Sequence, residues 1–200
     1  MTSTEALKEQ LRETAAKQRE AIAAEVADAA GNDIGSALIA SFDRSLDLPA
    51  GIVVSGYFPI GSEANVLPLL KTLSARGFRI ALPVVGKRMT PLVFREWQET
   101  DTMEQGPFNI PEPKADADIL RPDLILTPLL AFDTRGNRLG YGGGLYDLTI
   151  ATLREYQPVM AAGIAYSGQQ VPDVPHDDLD VPMDWIITEN EAFRPERGNE

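Results

Sequence analysis

One stretch of the chain narrows its architecture more than any other. Ile125-Leu126-Thr127-Pro128-Leu129-Leu130 is an apolar run of strand length, and Leu145, Leu148, Ile150, Ala151 and Leu153 follow with helical spacing. Between them lies Arg138-Leu139-Gly140-Tyr141-Gly142-Gly143-Gly144. A buried strand that passes through a glycine-rich bend into a helix is a unit of a layered α/β fold. Glycines at 140, 142, 143 and 144 let the backbone take positive φ and approach an anion closely. Amides at the helix start point toward phosphate oxygens, and Arg138 adds charge-assisted hydrogen bonds. With Asp147 three residues past the ladder, the combination suits a magnesium-nucleotide. The bend is not a Walker A loop, because no Gly-Lys-Ser/Thr follows it, and no acid sits on a strand about 20 residues later as a dinucleotide fold requires. The plainer alternative is a strand-to-helix turn that binds nothing, with Asp147 capping the helix.

The rest of the chain extends this unit. Residues 4–30, rich in Ala, Glu, Lys and Gln, read as a helix with Thr4 as N-cap. Its apolar face is Leu7, Leu11, Ala15 and Ile22, and Lys8, Arg12 and Arg19 form a basic stripe beside that face while Lys17 points elsewhere. After Gly31-Asn32-Asp33, residues 34–46 make a second helix, with Leu38, Ile39 and Phe42 inward. Residues 51–58 are a buried strand, residues 66–73 a helix, 77–85 a second strand and 92–97 an alternating third. Residues 106–113 hold three prolines and are expected to be a loop with little regular hydrogen bonding. Residues 159–166 and 185–188 are the last strands. Strands separated by helices predict a three-layer α/β/α fold, Rossmann-like but not a dinucleotide fold, with a mostly parallel sheet and helices on both faces. Ligands then belong at the strand C-terminal ends. Residues 1–193 read as one domain and 194–200 as a loose tail.

Composition limits the partners. Lys and Arg number 18 against 30 Asp and Glu, a net charge of −12, so nucleic acid and anionic membranes are not expected partners. An anionic ligand must be held by locally clustered cations. No cysteine is present, so disulfides and thiolate metal sites are excluded. The charged start, with Glu5, Lys8, Glu9 and Arg12, lacks the apolar core of a secretory signal, and no run reaches the ~20 apolar residues of a membrane span. A soluble, cytoplasmic monomer is the expectation.

The glycine loop resembles that of the 5-formyltetrahydrofolate cyclo-ligase family, also called methenyltetrahydrofolate synthetases, and further elements resemble it in order along nearly the whole chain. Lys8-Glu9-Gln10-Leu11-Arg12 resembles the family's Lys-x-x-Leu-Arg signature, which implies that Lys8 and Arg12 reach the phosphates of ATP. Arg138 through Tyr146, including Leu139, Gly140, Tyr141, Gly142, Gly143, Gly144 and Leu145, resembles the loop that implies both nucleotide and folate contacts. Tyr57-Phe58-Pro59 with Glu63 implies that Phe58 and Glu63 face the pterin. Phe108-Asn109-Ile110-Pro111-Glu112-Pro113 implies that Phe108 lies against the folate. Val174-Pro175 and the acids through Asp180 and Asp184 imply Asp180 as a second Mg2+ contact beside Asp147. Three positions depart from the family pattern: Gly143 stands where Lys or Arg is usual, Leu145 where an aromatic is usual and Leu148 where Arg is usual.

The resemblance implies ATP-dependent conversion of 5-formyltetrahydrofolate to 5,10-methenyltetrahydrofolate, with Arg138, Lys8 and Arg12 as the charges that act on the phosphate. Each residue has a structural alternative. Phe58 and Phe108 fit a core, Glu63 fits an exposed loop, and Asp180 is one of several neighbouring acids. Arg135 either assists phosphate binding or pairs with Asp133, and His176, the only histidine, is expected at the surface. Two rival functions stay open on sequence alone: a non-catalytic folate- or nucleotide-binding regulator, and an enzyme resembling sugar-phosphate isomerases or CoA-transferases that needs no nucleotide.

Overall fold

The structure, a computed structural model, describes residues 3–28, 34–86 and 89–196. The Gly31-Asn32-Asp33 break, the last two residues of the expected first helix, residues 197–200 and the side chain of Phe108 lie outside the described residues.

The sheet has eight strands. Five parallel ones fill its centre: β1 (Val53–Ser55), β2 (Arg79–Val84), β7 (Leu124–Pro128), β10 (Met160–Ile164) and β11 (Trp185–Ile187). Antiparallel strands close both edges, β3 (Val93–Glu96) and β6 (Ile119–Leu120) on one side and β12 (Ala192–Phe193) on the other. The order is β12-β11-β10-β7-β1-β2-β3-β6. The expected third strand is thus antiparallel and lies one strand in from the edge, between β2 and β6.

Alternation along the central strands divides the core between two faces. Val54, Leu124, Leu126 and Ile164 face α2 (Ile34–Ser45) and α3 (Leu67–Ala75), where Leu38, Phe42, Leu69, Leu70 and Leu73 are buried. Ile125, Ala161 and Ile186 face the opposite way, toward Ile150 of α4 (Leu145–Arg154). From β1 the chain steps outward to β2 and returns to β7 on β1's other side, so the winding direction reverses between β1 and β7. In an open α/β sheet that reversal opens a crevice beyond the strand C-termini. The loops that flank it here are residues 56–66 and 129–144.

The first helix, α1 (Thr4–Asp28), lies across these loops. Ser3, not Thr4, caps it, its hydroxyl accepting the Ala6 amide at 3.3 Å. Leu7 is 42% exposed, whereas Lys8, Ala15 and Arg19 are buried and Ile22, Ala23 and Val26 meet the core. The inward face is therefore centred on the basic stripe, with the expected apolar face rotated partly to solvent. Two more expectations change. Residues 106–113 include a paired strand, since β4 (Glu104–Gln105) and β5 (Pro111–Glu112) form a small antiparallel ladder. Pro107 opens the intervening 3-10 turn, where no donor is needed. The tail is tied down further than expected: Arg194 lies 5.0 Å over the Trp185 ring, and Pro195 sits against Gly136.

Candidate active site

The glycine bend is not a simple link from strand to helix. After β7 the chain forms a hairpin of β8 (Ala131–Phe132) and β9 (Arg138–Leu139), closed by Asp133. The buried Asp133 carboxylate accepts the amides of Arg135, Asn137 and Val174 and the Asn137 side chain, which staples the hairpin to the segment after β10. Arg135 pairs with Asp133 and Asp173, so of its two readings the structural one holds. This frame fixes Arg138 at the root of the glycine ladder. Gly142 and Gly144 take φ of +91° and +62°, conformations that L side chains rarely adopt, and Gly144 is the N-cap of α4.

Three cations gather here although the chain is strongly acidic overall. Lys8, 7% exposed, places Nζ 2.6 Å from Asp180 Oδ2 and 2.8 Å from Asp177 Oδ2. Burial alone lowers the Lys8 pKa, but its bonds to Asp177 and Asp180 overcome that and hold it above the usual lysine value. The Arg12 guanidinium donates to Gly140 O at 3.3 Å and to Glu5 and Glu9 at 2.8 Å, with its central carbon against Gly142. Arg138 is 9% exposed. Its Nη2 lies 2.8 Å from Asp147 Oδ1 without the alignment of a hydrogen bond, and both Nη2 and Nε are buried with no hydrogen-bond partner among the described residues. Unpaired guanidinium donors in a buried position cost free energy that an anion can recover.

Beside the cations lies a patch of phenols around one acid. Glu63 is buried, and its Oε2 accepts the Ile60 amide at 2.8 Å. Burial raises its pKa above the usual glutamate value, opposed by the Ile60 amide, the charge of Arg19 and a hydrogen bond from Tyr141. Burial also raises the pKa of Tyr57 and Tyr146, and the negative charge of Glu63 adds to the rise in both, which places the two phenols within its field. Arg138 lies 5.8 Å over the Tyr146 ring. Phe58 is half-buried against the core under α2 and α3.

The structure thus brings Lys8, Arg12, Arg138, Tyr141, Gly142, Tyr146 and Asp147 to one end of the crevice, with Glu63 beside them. Leu11, Leu139 and Leu145 serve as packing residues, and Gln10 is exposed while Glu9 holds Arg12. His176 is exposed. Asp147 Oδ1 accepts the Val181 amide at 3.0 Å and Asp180 accepts the Asp177 amide, so the two carboxylates come from neighbouring segments, each facing a cation. Among the described residues no group of three or more His, Asp or Glu is gathered to hold a metal. Two carboxylates nevertheless match the chemistry of Mg2+, a hard ion that takes one or two protein oxygens and fills its shell with water and phosphate. Sequence reasoning missed the role of Arg19. It stood in the basic stripe, and nothing local signalled that it bridges three loops.

Known proteins agree with this geometry. Residues 4–189 match the model of the 5-formyltetrahydrofolate cyclo-ligase family. The chain is 35% identical over 136 residues to the 5-formyltetrahydrofolate cyclo-ligase of Haemophilus influenzae, covering 66% of this chain and 72% of that protein. It is 33% identical over 147 residues to that of Escherichia coli K12, covering 70% and 79%. The solved structure of Aquifex aeolicus 5,10-methenyltetrahydrofolate synthetase superposes with a TM-score of 0.75 at 25% identity, covering 97% of this chain and 95% of that one. A crevice at the sheet's reversal point, a cation cluster on a glycine ladder and these three likenesses converge: the chain belongs to the 5-formyltetrahydrofolate cyclo-ligase family.

Proposed function

We propose that this ATP-dependent cyclo-ligase closes 5-formyltetrahydrofolate to 5,10-methenyltetrahydrofolate through a phosphorylated formyl oxygen, with Arg138, Lys8 and Arg12 matching the charge of the transferring phosphate. The formyl oxygen of an amide-like group is a poor leaving group. When it attacks the terminal phosphorus, the bond to ADP breaks and the oxygen becomes part of a phosphate ester on an iminium carbon. Nitrogen 10 of the folate then attacks that carbon, loses its proton and expels phosphate as the ring closes. The protein has little covalent work to do; it aligns the two ligands and stabilises charge.

The Arg138 guanidinium, buried at the foot of the glycine ladder with Nε lacking a hydrogen-bond partner and Nη2 held only by its ion pair with Asp147, carries this reading. Lys8 and Arg138 each face a carboxylate that a phosphate can replace, while Asp180 and Asp147 are left to hold Mg2+, which when bound offsets phosphate charge. Exchange of partners in this way leaves no buried charge unmatched. Glu63 accepts hydrogen bonds from the pterin's amino and ring N–H groups, and the family resemblance implies Phe58 and Phe108 as folate contacts. Mixing the protein with Mg-ATP and 5-formyltetrahydrofolate should develop the near-ultraviolet absorbance of the methenyl product. Binding of both ligands without that absorbance would instead make the chain a ligand-binding member that has lost turnover, the reading that the departures at Gly143, Leu145 and Leu148 keep in view.

A further inference from the structure

Arg19 is 5% exposed and does not reach the acids that hold Lys8 and Arg12. Its guanidinium fork spreads over three separate segments: Nε donates to Ser62 Oγ at 3.0 Å, Nη1 to Leu129 O at 3.4 Å, and Nη2 to the Tyr141 hydroxyl at 2.6 Å. The same guanidinium lies 5.4 Å over the Tyr141 ring. These segments are the loop after β1, the turn after β7 and the glycine ladder, the three backbones that border the crevice. Ser62, the Arg19 partner on the first of these loops, directly precedes Glu63, and the Tyr141 phenol lies within the field of that carboxylate. A tyrosine 57% exposed is thereby held at its tip by one buried cation.

We propose that Arg19 is a positioning residue that, through the Tyr141 hydroxyl, ties the glycine ladder to the Glu63 loop, so that nucleotide on the ladder tightens the grip of Glu63 on the folate. This rests on the function proposed above. The physical ground is the geometry of the fork. A planar guanidinium that spends its donors on three loops fixes their relative positions as a lysine, with a single rotating ammonium, does not. Tyr141 is the ladder side chain that Arg19 holds, and Ser62, next to Glu63, is held by the same guanidinium. Ordering of the ladder by phosphate therefore reaches the Glu63 loop through the Tyr141 hydroxyl and the Arg19 fork, and by linkage folate must strengthen nucleotide binding by the same factor. The mechanism otherwise makes no use of Arg19, whose donors are taken by Ser62, Leu129 and Tyr141.

The experiment reads the coupling directly. Affinity for 5-formyltetrahydrofolate is measured by calorimetry with and without saturating Mg2+ and a non-hydrolysable ATP analogue, and the ratio is the coupling factor. Wild type should show at least about fivefold tightening, the lower end of ordinary coupling. Tyr141→Phe, which keeps the ring and removes only the hydroxyl, should bring the ratio below about twofold while the thermal midpoint stays near wild type. Arg19→Lys should do the same and should not be rescued by its retained charge. A Tyr141→Phe protein with the wild-type ratio overturns the proposal, as does a wild-type ratio of one. Failure of the wild type to bind folate or nucleotide overturns both this inference and the function beneath it, whereas two ligands that bind and turn over without coupling overturn the inference alone.

Discussion

The two ends of the crevice are made of different physics. At the phosphate end, Lys8, Arg12 and Arg138 each sit within 2.8 Å of a carboxylate oxygen, so charge is balanced by partners that a ligand can replace. At the end proposed for the folate, a single buried carboxylate is held by an amide and by the field of a distant guanidinium, and its surroundings resist ionisation. One end is a set of exchangeable ion pairs. The other is a fixed template of hydrogen bonds, in which a lost group leaves its neighbours with nothing to take its place. Substitutions at the phosphate end should act on turnover and on ATP, and those at the folate end on folate binding and on pH.

The sharpest way to break this contrast is Arg138→Ala. It removes the buried donors aimed at the transferring phosphate, and kcat should fall by about 10³-fold, the scale of losing a transition-state charge contact. Turnover should fall much further than stability, because Asp147 keeps its bond from the Val181 amide. Product absorbance against a urea titration of the same protein decides the matter, and unaltered activity would remove Arg138 from the mechanism.

Glu63→Gln comes next. Loss of charged hydrogen bonds to the pterin should raise the folate KM by about 10- to 100-fold, the scale of one or two such bonds, with the ATP KM nearly unchanged. The sign on stability is opposite. A carboxylate whose folded pKa is raised by burial detracts from stability at pH values above that pKa, and the loss is relieved as pH falls through it. The glutamine protein should therefore be as stable as wild type or more so near neutral pH. For the same reason the wild-type folate KM should rise on acidification at a pH above that of an ordinary glutamate, a limb that the glutamine protein lacks. If both KM values move together in either test, the two ends are not separate.

What the sequence made legible follows from what is local. Apolar runs of strand length and glycine spacing are local, and they placed the central strands, α4 and the ladder. The orientation of α1 is not. Lys8 and Arg19 are buried only because Asp177, Asp180, Ser62 and Tyr141 arrive from distant segments, and a helix read by itself turns its leucines inward instead. The β8–β9 hairpin escaped notice because its organising group, Asp133, is an ordinary acid until Val174 comes to meet it. Family resemblance supplied Asp147 and Asp180, while the structure adds that each of them also faces a cation.

A gentler probe of the phosphate end is Gly142→Ala. At φ +91° an added Cβ is strained by about 1–2 kcal/mol, and it would stand 3.1 Å from the central carbon of the Arg12 guanidinium. Arg12 must shift, and the ATP KM should rise by roughly tenfold on the same energy scale, while the folate KM holds. Equal effects on both ligands in steady-state kinetics would mean that the ladder serves the folate as much as the nucleotide.

The smallest expected effect runs in the opposite direction. Gly143 lies between two glycines of positive φ without being one itself. An added Cβ there would find only Leu145 Cγ, at 3.9 Å, so a side chain fits without strain. Gly143→Lys should lower the ATP KM by about two- to fivefold, because an exposed ammonium contributes at most about 1 kcal/mol and salt screens it. The gain should shrink between low and physiological ionic strength and leave the folate KM where it was. A lysine that instead raised the ATP KM would mean that Lys8, Arg12 and Arg138 already saturate the phosphates, and that Gly143 belongs to a ladder balanced for the charge it has.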